Sequence, residues 1–197
     1  VLLREISMSY ERLTSNWVSG GFLSAFVITA LGLVLLRDAS LALVLVYLHL
    51  PMYQVHQYEE HDGARFRTWV NDVMGGGRDL LPVTAIFVIN IVGVWALFTA
   101  VIVGAASYDI GLGLAVVYPT LINAVAHVVP VLVRRAYNPG AGTAALLFLP
   151  VSGATLWVLS RTPSVDRLDH AIGLAVGVVL HAVIVFYVRW RFQRLSA

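Results

Sequence analysis

Residues 81–106 read LPVTAIFVINIVGVWALFTAVIVGAA, a run of 26 residues that contains no Asp, Glu, Lys or Arg. A helix crosses a hydrocarbon layer about 30 Å thick with about 20 mainly apolar residues, because each residue adds about 1.5 Å of length. A helix also satisfies its own backbone hydrogen bonds, which lipid cannot do. This stretch therefore predicts a membrane-spanning helix.

Five further stretches of the 197-residue chain satisfy the same length and composition requirement. They run approximately over residues 17–36, 40–58, 110–133, 141–159 and 168–187. Hydrophobic residues make up 59% of the chain and charged residues 12%, well below the roughly 25% charged residues of average soluble domains. The sequence thus predicts an all-α membrane protein, a six-helix bundle forming one transmembrane domain over residues 1–197. The absence of Cys excludes disulfides and thiolate ligands.

The longest polar connection, residues 59–80, separates the second and third predicted spans. Its apolar residues Phe66, Trp69, Val70 and Val73 recur at helical spacing, and Gly75-Gly76-Gly77 follow them. This pattern is typical of an amphipathic helix that lies in the membrane interface and ends at the glycines.

The arginines are distributed unevenly between the two sides of a six-span topology. One side, which carries both termini, holds ten of the thirteen basic residues, and the other holds only Arg37, Arg161 and Arg167. Because basic loops stay in the cytoplasm, both termini are expected to be cytoplasmic. The sequence pI near 9.2 then reflects orientation in the membrane and predicts no nucleic-acid partner.

Several polar residues share one face of the second predicted span. His49, Tyr53, His56 and Glu60 are separated by four, three and four residues, and Glu59 lies beside them. On a helix these spacings place the side chains in one direction. Ionisable groups within a membrane cost about 2.5 to 3.5 kcal/mol each on insertion scales, so such a group of residues predicts a functional site.

Other predicted spans carry polar residues at a similar depth. Each lies about seven to eleven residues from the basic end of its helix, or roughly 10–16 Å, although the helices run in alternating directions. These residues are Asn90, Asn123, His127 and His181. Their agreement in depth predicts one site shared by several helices.

Imidazoles and carboxylates together are ligands for zinc, iron or manganese. The sequence predicts a site for a divalent transition metal, zinc or iron, in which Glu59 or Glu60 also acts as a catalytic base. The predicted ligands are His56, Glu59, Glu60, His127 and His181, supported by Asn90, Asn123, His49 and Tyr53. Taken singly, His127 and His181 also fit hydrogen bonds between helices, and His61 fits a solvated helix end.

The string His56-Gln57-Tyr58-Glu59-Glu60, placed at the end of a membrane helix, resembles the motif of the HXXEE family of bacterial integral membrane proteins. A second element, Arg135 to Thr143 (RAYNPGAGT), is similar to the family's Tyr-Pro-Gly-Thr stretch. The resemblance implies that His56, Glu59, Glu60 and His127 act as one site in a bacterial inner membrane, and it supplies no reaction. The Asn-Pro-Gly sequence by itself indicates a tight turn with a structural role.

These patterns favour a metal-dependent membrane enzyme, hydrolytic or oxidative, acting on an apolar or lipid-like substrate at the cytoplasmic leaflet. Two alternatives stay open. The chain can be an accessory subunit that binds a pigment, a quinone or a partner helix, since it carries Trp95 and Trp157 as well as interfacial candidates Trp17 and Trp190. It can also be a proton-coupled transporter, although no inverted repeat supports this.

Overall fold

The protein is described here by a computed structural model, which covers the backbone of residues 2–196 and the side chains of residues 8–196. Within these residues the chain is helical and contains no strand. Arg4, one of the ten basic residues assigned above to the side of the termini, lies outside the residues whose side chains are described. The seven principal helices are α1 (Leu2–Leu35), α2 (Leu41–His61), α3 (Arg65–Val73), α4 (Val83–Ser107), α5 (Ile110–Arg134), α6 (Ala141–Leu159) and α7 (Arg167–Ser196).

Five helices in residues 2–196, namely α1, α4, α5, α6 and α7, are long and apolar enough to cross a membrane. They confirm five of the six expected spans, and their length and apolar composition are those of an integral membrane protein. Two of them exceed the expected spans: α1 begins at residue 2 and α7 continues to residue 196. The remaining expected span is helix α2, whose polar second half keeps it out of this group.

Helix α2 lies at the centre of the bundle and contacts α1, α4, α5 and α6. Ser40 caps its first turn by accepting a hydrogen bond from the Leu43 N–H at 3.3 Å. Its core residue Val46 is fully buried, and so are His49 and His56. Because the neighbouring helices cover α2, its polar side chains avoid the lipid contact that makes such residues costly in a membrane.

Helices α5 and α7 form a close pair along most of their length. A Cβ atom on Gly173 would lie 2.8 Å from the Leu114 backbone, and one on Gly177 would lie 3.0 Å from the Pro119 nitrogen. These two glycines, four residues apart, allow the backbones to approach as in other membrane helix pairs. This contact fixes the position of α7 relative to α5.

Two helices widen into short π-helical segments next to the buried polar residues. One is Ile91–Ala96 in α4, directly after Asn90, and the other is Ala144–Phe148 in α6. Such segments shift the helix face by an extra residue and are common at functional sites. The Phe148 ring packs 4.3 Å from the His56 ring and 4.8 Å from the Tyr53 ring, measured between centroids.

The connection between α2 and α4 contains helix α3, at the position of the expected amphipathic segment. Val70 is buried against Leu80 and Leu81, and Phe66 and Trp69 are partly buried in the same cluster. Arg67 forms an ion pair with Asp79 at 3.0 Å, which ties α3 to the loop before α4. The helix therefore has a defined packed position beside the end of α2.

Candidate metal centre

Three buried side chains from two helices converge at the end of α2. Each of His56, Glu60 and His127 offers one ligand atom, and these atoms all lie within 4.8 Å of one another. The Nε2 atom of His56 lies 3.5 Å from Glu60 Oε2, and the Nε2 atom of His127 lies 3.5 Å from Glu60 Oε1. The one-turn separation of His56 and Glu60 on α2 places both on the face toward α5.

Hydrogen bonds fix which nitrogen of His56 carries its proton. Thr143 donates its single hydroxyl hydrogen to Glu59 Oε2 at 2.5 Å. Its oxygen can therefore only accept from the His56 Nδ1–H, which lies 2.8 Å away. The Nε2 atom of His56 is left with its lone pair, and it is buried without any hydrogen-bond partner.

His127 is held in the same tautomer by Asn138. The Asn138 amide nitrogen donates to the His127 backbone carbonyl at 2.8 Å, which turns its Oδ1 toward the imidazole. This oxygen accepts from the His127 Nδ1–H at 2.8 Å. In the neutral form of each ring, both histidines thus present unprotonated Nε2 atoms to Glu60, as metal-binding histidines do when a neighbour holds the other ring nitrogen.

The spacing of the three groups fits a metal ion better than direct hydrogen bonds. A nitrogen–oxygen hydrogen bond is about 2.7–3.2 Å long. Two ligands about 2.1 Å from one ion lie about 3.0–3.4 Å apart for octahedral to tetrahedral angles, close to the 3.5 Å separations. Two lone pairs and a carboxylate also repel one another unless a metal cation or a proton lies between them. The group of His56, Glu60 and His127 can therefore hold a metal ion.

Glu59 points about 100° away from Glu60 around α2 and is hydrogen-bonded by the chain between α5 and α6. Its Oε1 accepts from the Tyr137 hydroxyl at 2.5 Å and from the Gly142 N–H at 2.9 Å. Its Oε2 accepts from the Thr143 hydroxyl and, at 2.6 Å, from the Thr143 N–H. Partial burial and the bond to Glu59 raise the pKa of Tyr137 to about 12, so this phenol stays protonated and donates at neutral pH.

Gly140 closes the site from the side of this connection. A Cβ atom at this position would lie 2.8 Å from His56 Cε1 and 2.9 Å from His127 Cε1. The residue also has a φ of +95°, which favours glycine. Residues 137–143, here called the clamp segment, therefore contact both histidines and Glu59. The sequence indicated only a turn here.

Comparison with known proteins identifies the family of this chain. Residues 47–155 match a family described as proteins of unknown function with an HXXEE motif. The chain belongs to the HXXEE family. The matched region contains residues 47–61 of α2, the three converging residues and the whole clamp segment. Neither the curated proteins nor the solved structures include a significant match to this chain.

The two middle residues of the family motif face away from the three converging side chains. Gln57 donates to Asn90 Oδ1 at 2.7 Å and accepts from the Trp95 indole N–H at 2.6 Å. Tyr58 stacks on Phe22 of α1 at 4.3 Å between ring centroids. The motif thus spans one helical turn that ties α2 to α4 and α1 while its first and last residues face α5.

His61 joins the site, although its sequence position also fitted a solvated helix end. Its side chain is 7% exposed, and its Nε2 atom lies 3.1 Å from Glu60 Oε2. It packs against Trp17, which is buried here and which the sequence treated as an interfacial candidate. Asn90 lies 3.2 Å from the same His61 nitrogen, so the expected supporting residue contacts His61. No periodicity identifies His61, because it follows Glu60 by one residue and so points about 100° away.

The other expected site residues lie around the three converging side chains without joining them. His49 is buried about two helical turns before His56 on α2, where its ring contacts the Leu45 carbonyl and Ser152. Tyr53, Asn123 and His181 line an adjacent cavity. The Nδ1 atom of His181 lies 2.8 Å from the Gly177 carbonyl of its own helix.

This cavity has a volume of about 990 Å³ and lies between α3, α4, α5 and α7. Glu60, His61 and His127 form part of its wall. Most of the remaining wall is apolar, including Ile86, Val129 and Ile184. The arrangement brings a large apolar space directly against the group that can hold a metal ion.

Proposed function

We propose that the protein is a metal-dependent membrane enzyme that acts on an apolar or lipid-like substrate, with His56, Glu60 and His127 as the metal ligands. The main support is that the Nε2 atoms of His56 and His127 both face the Glu60 carboxylate. In each ring the Nδ1 atom is held by a hydrogen bond, which leaves Nε2 for a metal. The apolar cavity against these residues supports the substrate class.

A zinc ion bound here would polarise a carbonyl or phosphoryl group and activate water, whereas iron would support oxidation. Glu60 would hold the ion through its carboxylate, and His61, 3.1 Å from Glu60 and on the cavity wall, is placed to accept or release a proton beside the substrate. Glu59 would act as a positioning residue, since all its strong hydrogen bonds go to the clamp segment.

We also propose that α2 crosses the membrane as a sixth span, so that both termini lie on the same side, which the arginine distribution predicts to be cytoplasmic. Its 21 residues give a length of about 31 Å, sufficient for the hydrocarbon layer. The covering helices α1, α4, α5 and α6 account for its polar residues. The arginine distribution then places the metal centre toward the cytoplasmic side.

In this topology α3 lies at the cytoplasmic interface and forms one wall of the cavity through Phe66, Trp69 and Val70. The exposed residues of α3 include Arg65, Thr68 and Asp72, which suit contact with water and headgroups. A substrate dissolved in the membrane would enter beside this helix from the cytoplasmic leaflet.

Elemental analysis of the purified protein tests the metal proposal. We expect about one transition-metal ion per chain in the wild type and loss of that ion in His56→Ala and His127→Ala variants. His170→Ala is the matched control, because His170 lies at the opposite end of the bundle and bonds to the Tyr118 hydroxyl at 2.9 Å. A wild-type protein without metal, or ligand variants that retain it, would show that the metal proposal is wrong.

A further inference from the structure

The cavity beside the metal centre differs in character from one end to the other. Its interior is formed by aliphatic side chains of α4, α5 and α7, among them Ile89, Val94, Leu180 and Val188. Toward the basic ends of α5 and α7 the wall includes Arg134 and Arg189. Glu60 is the only carboxylate on the described wall, and it belongs to the metal centre.

The two arginines differ from the paired arginines of the nearby connection. Arg65 and Arg67 form ion pairs with Asp62 and Asp79. Arg134 and Arg189 form no ion pair with any side chain of residues 8–196. The Arg134 guanidinium lies 6.0 Å from the ring centre of Trp69, another residue of the cavity wall. Two exposed arginines without an ion-pair partner among residues 8–196 therefore border an apolar cavity.

We propose that this cavity binds an amphiphile with an anionic head, a carboxylate or a phosphate monoester, whose head contacts Arg134 and Arg189 and whose apolar chain extends past the metal centre. The inference rests on the proposed function, since the bound molecule would be that enzyme's substrate. An arginine pair is suited to bind carboxylate or phosphate oxygens, and the aliphatic wall is suited to bind the chain.

The depth of the centre indicates which part of the molecule meets it. His127 precedes Arg134 by seven residues on α5, which corresponds to about 10 Å along the helix. His181 precedes Arg189 by eight residues on α7, a similar depth. With the head at the arginines, the group facing Glu60 and His127 is part of the chain and is separated from the head by about 10 Å.

Quenching of tryptophan fluorescence tests this assignment. The protein is placed in phosphatidylcholine nanodiscs and titrated with dibrominated stearic acid, with the matching dibrominated alcohol, or with a lysophosphatidic acid carrying the same brominated chain. The signal that disappears in a Trp69→Phe variant reports the cavity, because Trp69 lies on its wall. We expect both anionic probes to bind at least about tenfold more tightly than the alcohol, and their relative affinities identify the head as carboxylate or phosphate.

An Arg134→Gln/Arg189→Gln double variant should lose about tenfold in affinity for the anionic probes and keep its affinity for the alcohol. The matched control is Arg12→Gln/Arg194→Gln, which removes the same charge from the same expected side of the membrane at positions outside the cavity wall. Equal binding of acid and alcohol, no Trp69-dependent quenching, or an equal loss in the control variant would overturn the proposal.

Metal content measured on the same samples separates this proposal from the enzyme proposal. Charge-selective binding in a protein that contains no metal would support the amphiphile site while the metal-dependent function fails. Stoichiometric metal without charge-selective binding would overturn only the amphiphile site. We expect the Arg134→Gln/Arg189→Gln variant to retain its metal, because neither arginine contacts His56, Glu60 or His127 in the described structure.

Discussion

Replacing Thr143 by valine tests whether the Thr143 hydroxyl sets the tautomer of His56, because valine keeps the shape of threonine and lacks only the hydroxyl. The variant loses the hydrogen bond from His56 Nδ1 at 2.8 Å and the bond to Glu59 Oε2. Glu59 keeps three other donors, so the main effect falls on His56. Without its acceptor, the imidazole is free to carry the proton on Nε2, which cannot then bind a metal.

The expected loss follows from the role of such partners at other metal sites. Removing the hydrogen-bond partner of a ligating histidine typically weakens metal binding about 10–100-fold, or about 1.4–2.8 kcal/mol. The assay is competition between the purified protein and a chromophoric chelator of known affinity, read by absorbance. A Thr143→Ser variant retains the hydroxyl and should bind metal within a few-fold of the wild type.

Thr155→Val is the matched control for Thr143→Val. The Thr155 hydroxyl is also buried, but it donates to the Val151 carbonyl of its own helix at 2.7 Å. Its removal should cost about 1 kcal/mol of stability and leave metal affinity unchanged. If Thr143→Val binds metal as tightly as the wild type, the fixed tautomer is not what prepares His56 for a metal.

Three further predictions test the site and its orientation. Gly140→Ala would bring a Cβ atom within 3 Å of both histidines, so this variant should lose metal occupancy and about 1–3 kcal/mol of stability, measured by thermal unfolding. Gly153→Ala is the control: its Cβ atom would meet open space, so metal occupancy and stability should not change. His181→Ala should retain bound metal in elemental analysis, because the His181 ring lies outside the group of His56, Glu60 and His127. Loss of metal in this variant would show that His181 is a ligand. Cysteines introduced at Ser164 and Arg78 should react with a membrane-impermeant reagent from opposite faces, and labelling from one face would refute the six-span topology.

The sequence predicted the helical membrane class correctly because the signal is local. An uncharged run such as residues 81–106 has the length and composition of a span whatever surrounds it. Composition alone did not decide whether helix α2 crosses the membrane. Its polar residues lower its hydropathy, and only the packing of α1, α4, α5 and α6 around it explains how they are accommodated.

The sequence by itself also placed His56 and Glu60 on one helical face, since residues four apart lie one turn from each other. It left two adjacent carboxylates, Glu59 and Glu60, with similar expected roles. They point about 100° apart on the helix, so the rotation of α2 against its neighbours decides which one meets His127. The tertiary structure directs Glu60 to the histidines and Glu59 to the clamp segment, because contacts between residues 67 to 84 positions apart in sequence fix that rotation.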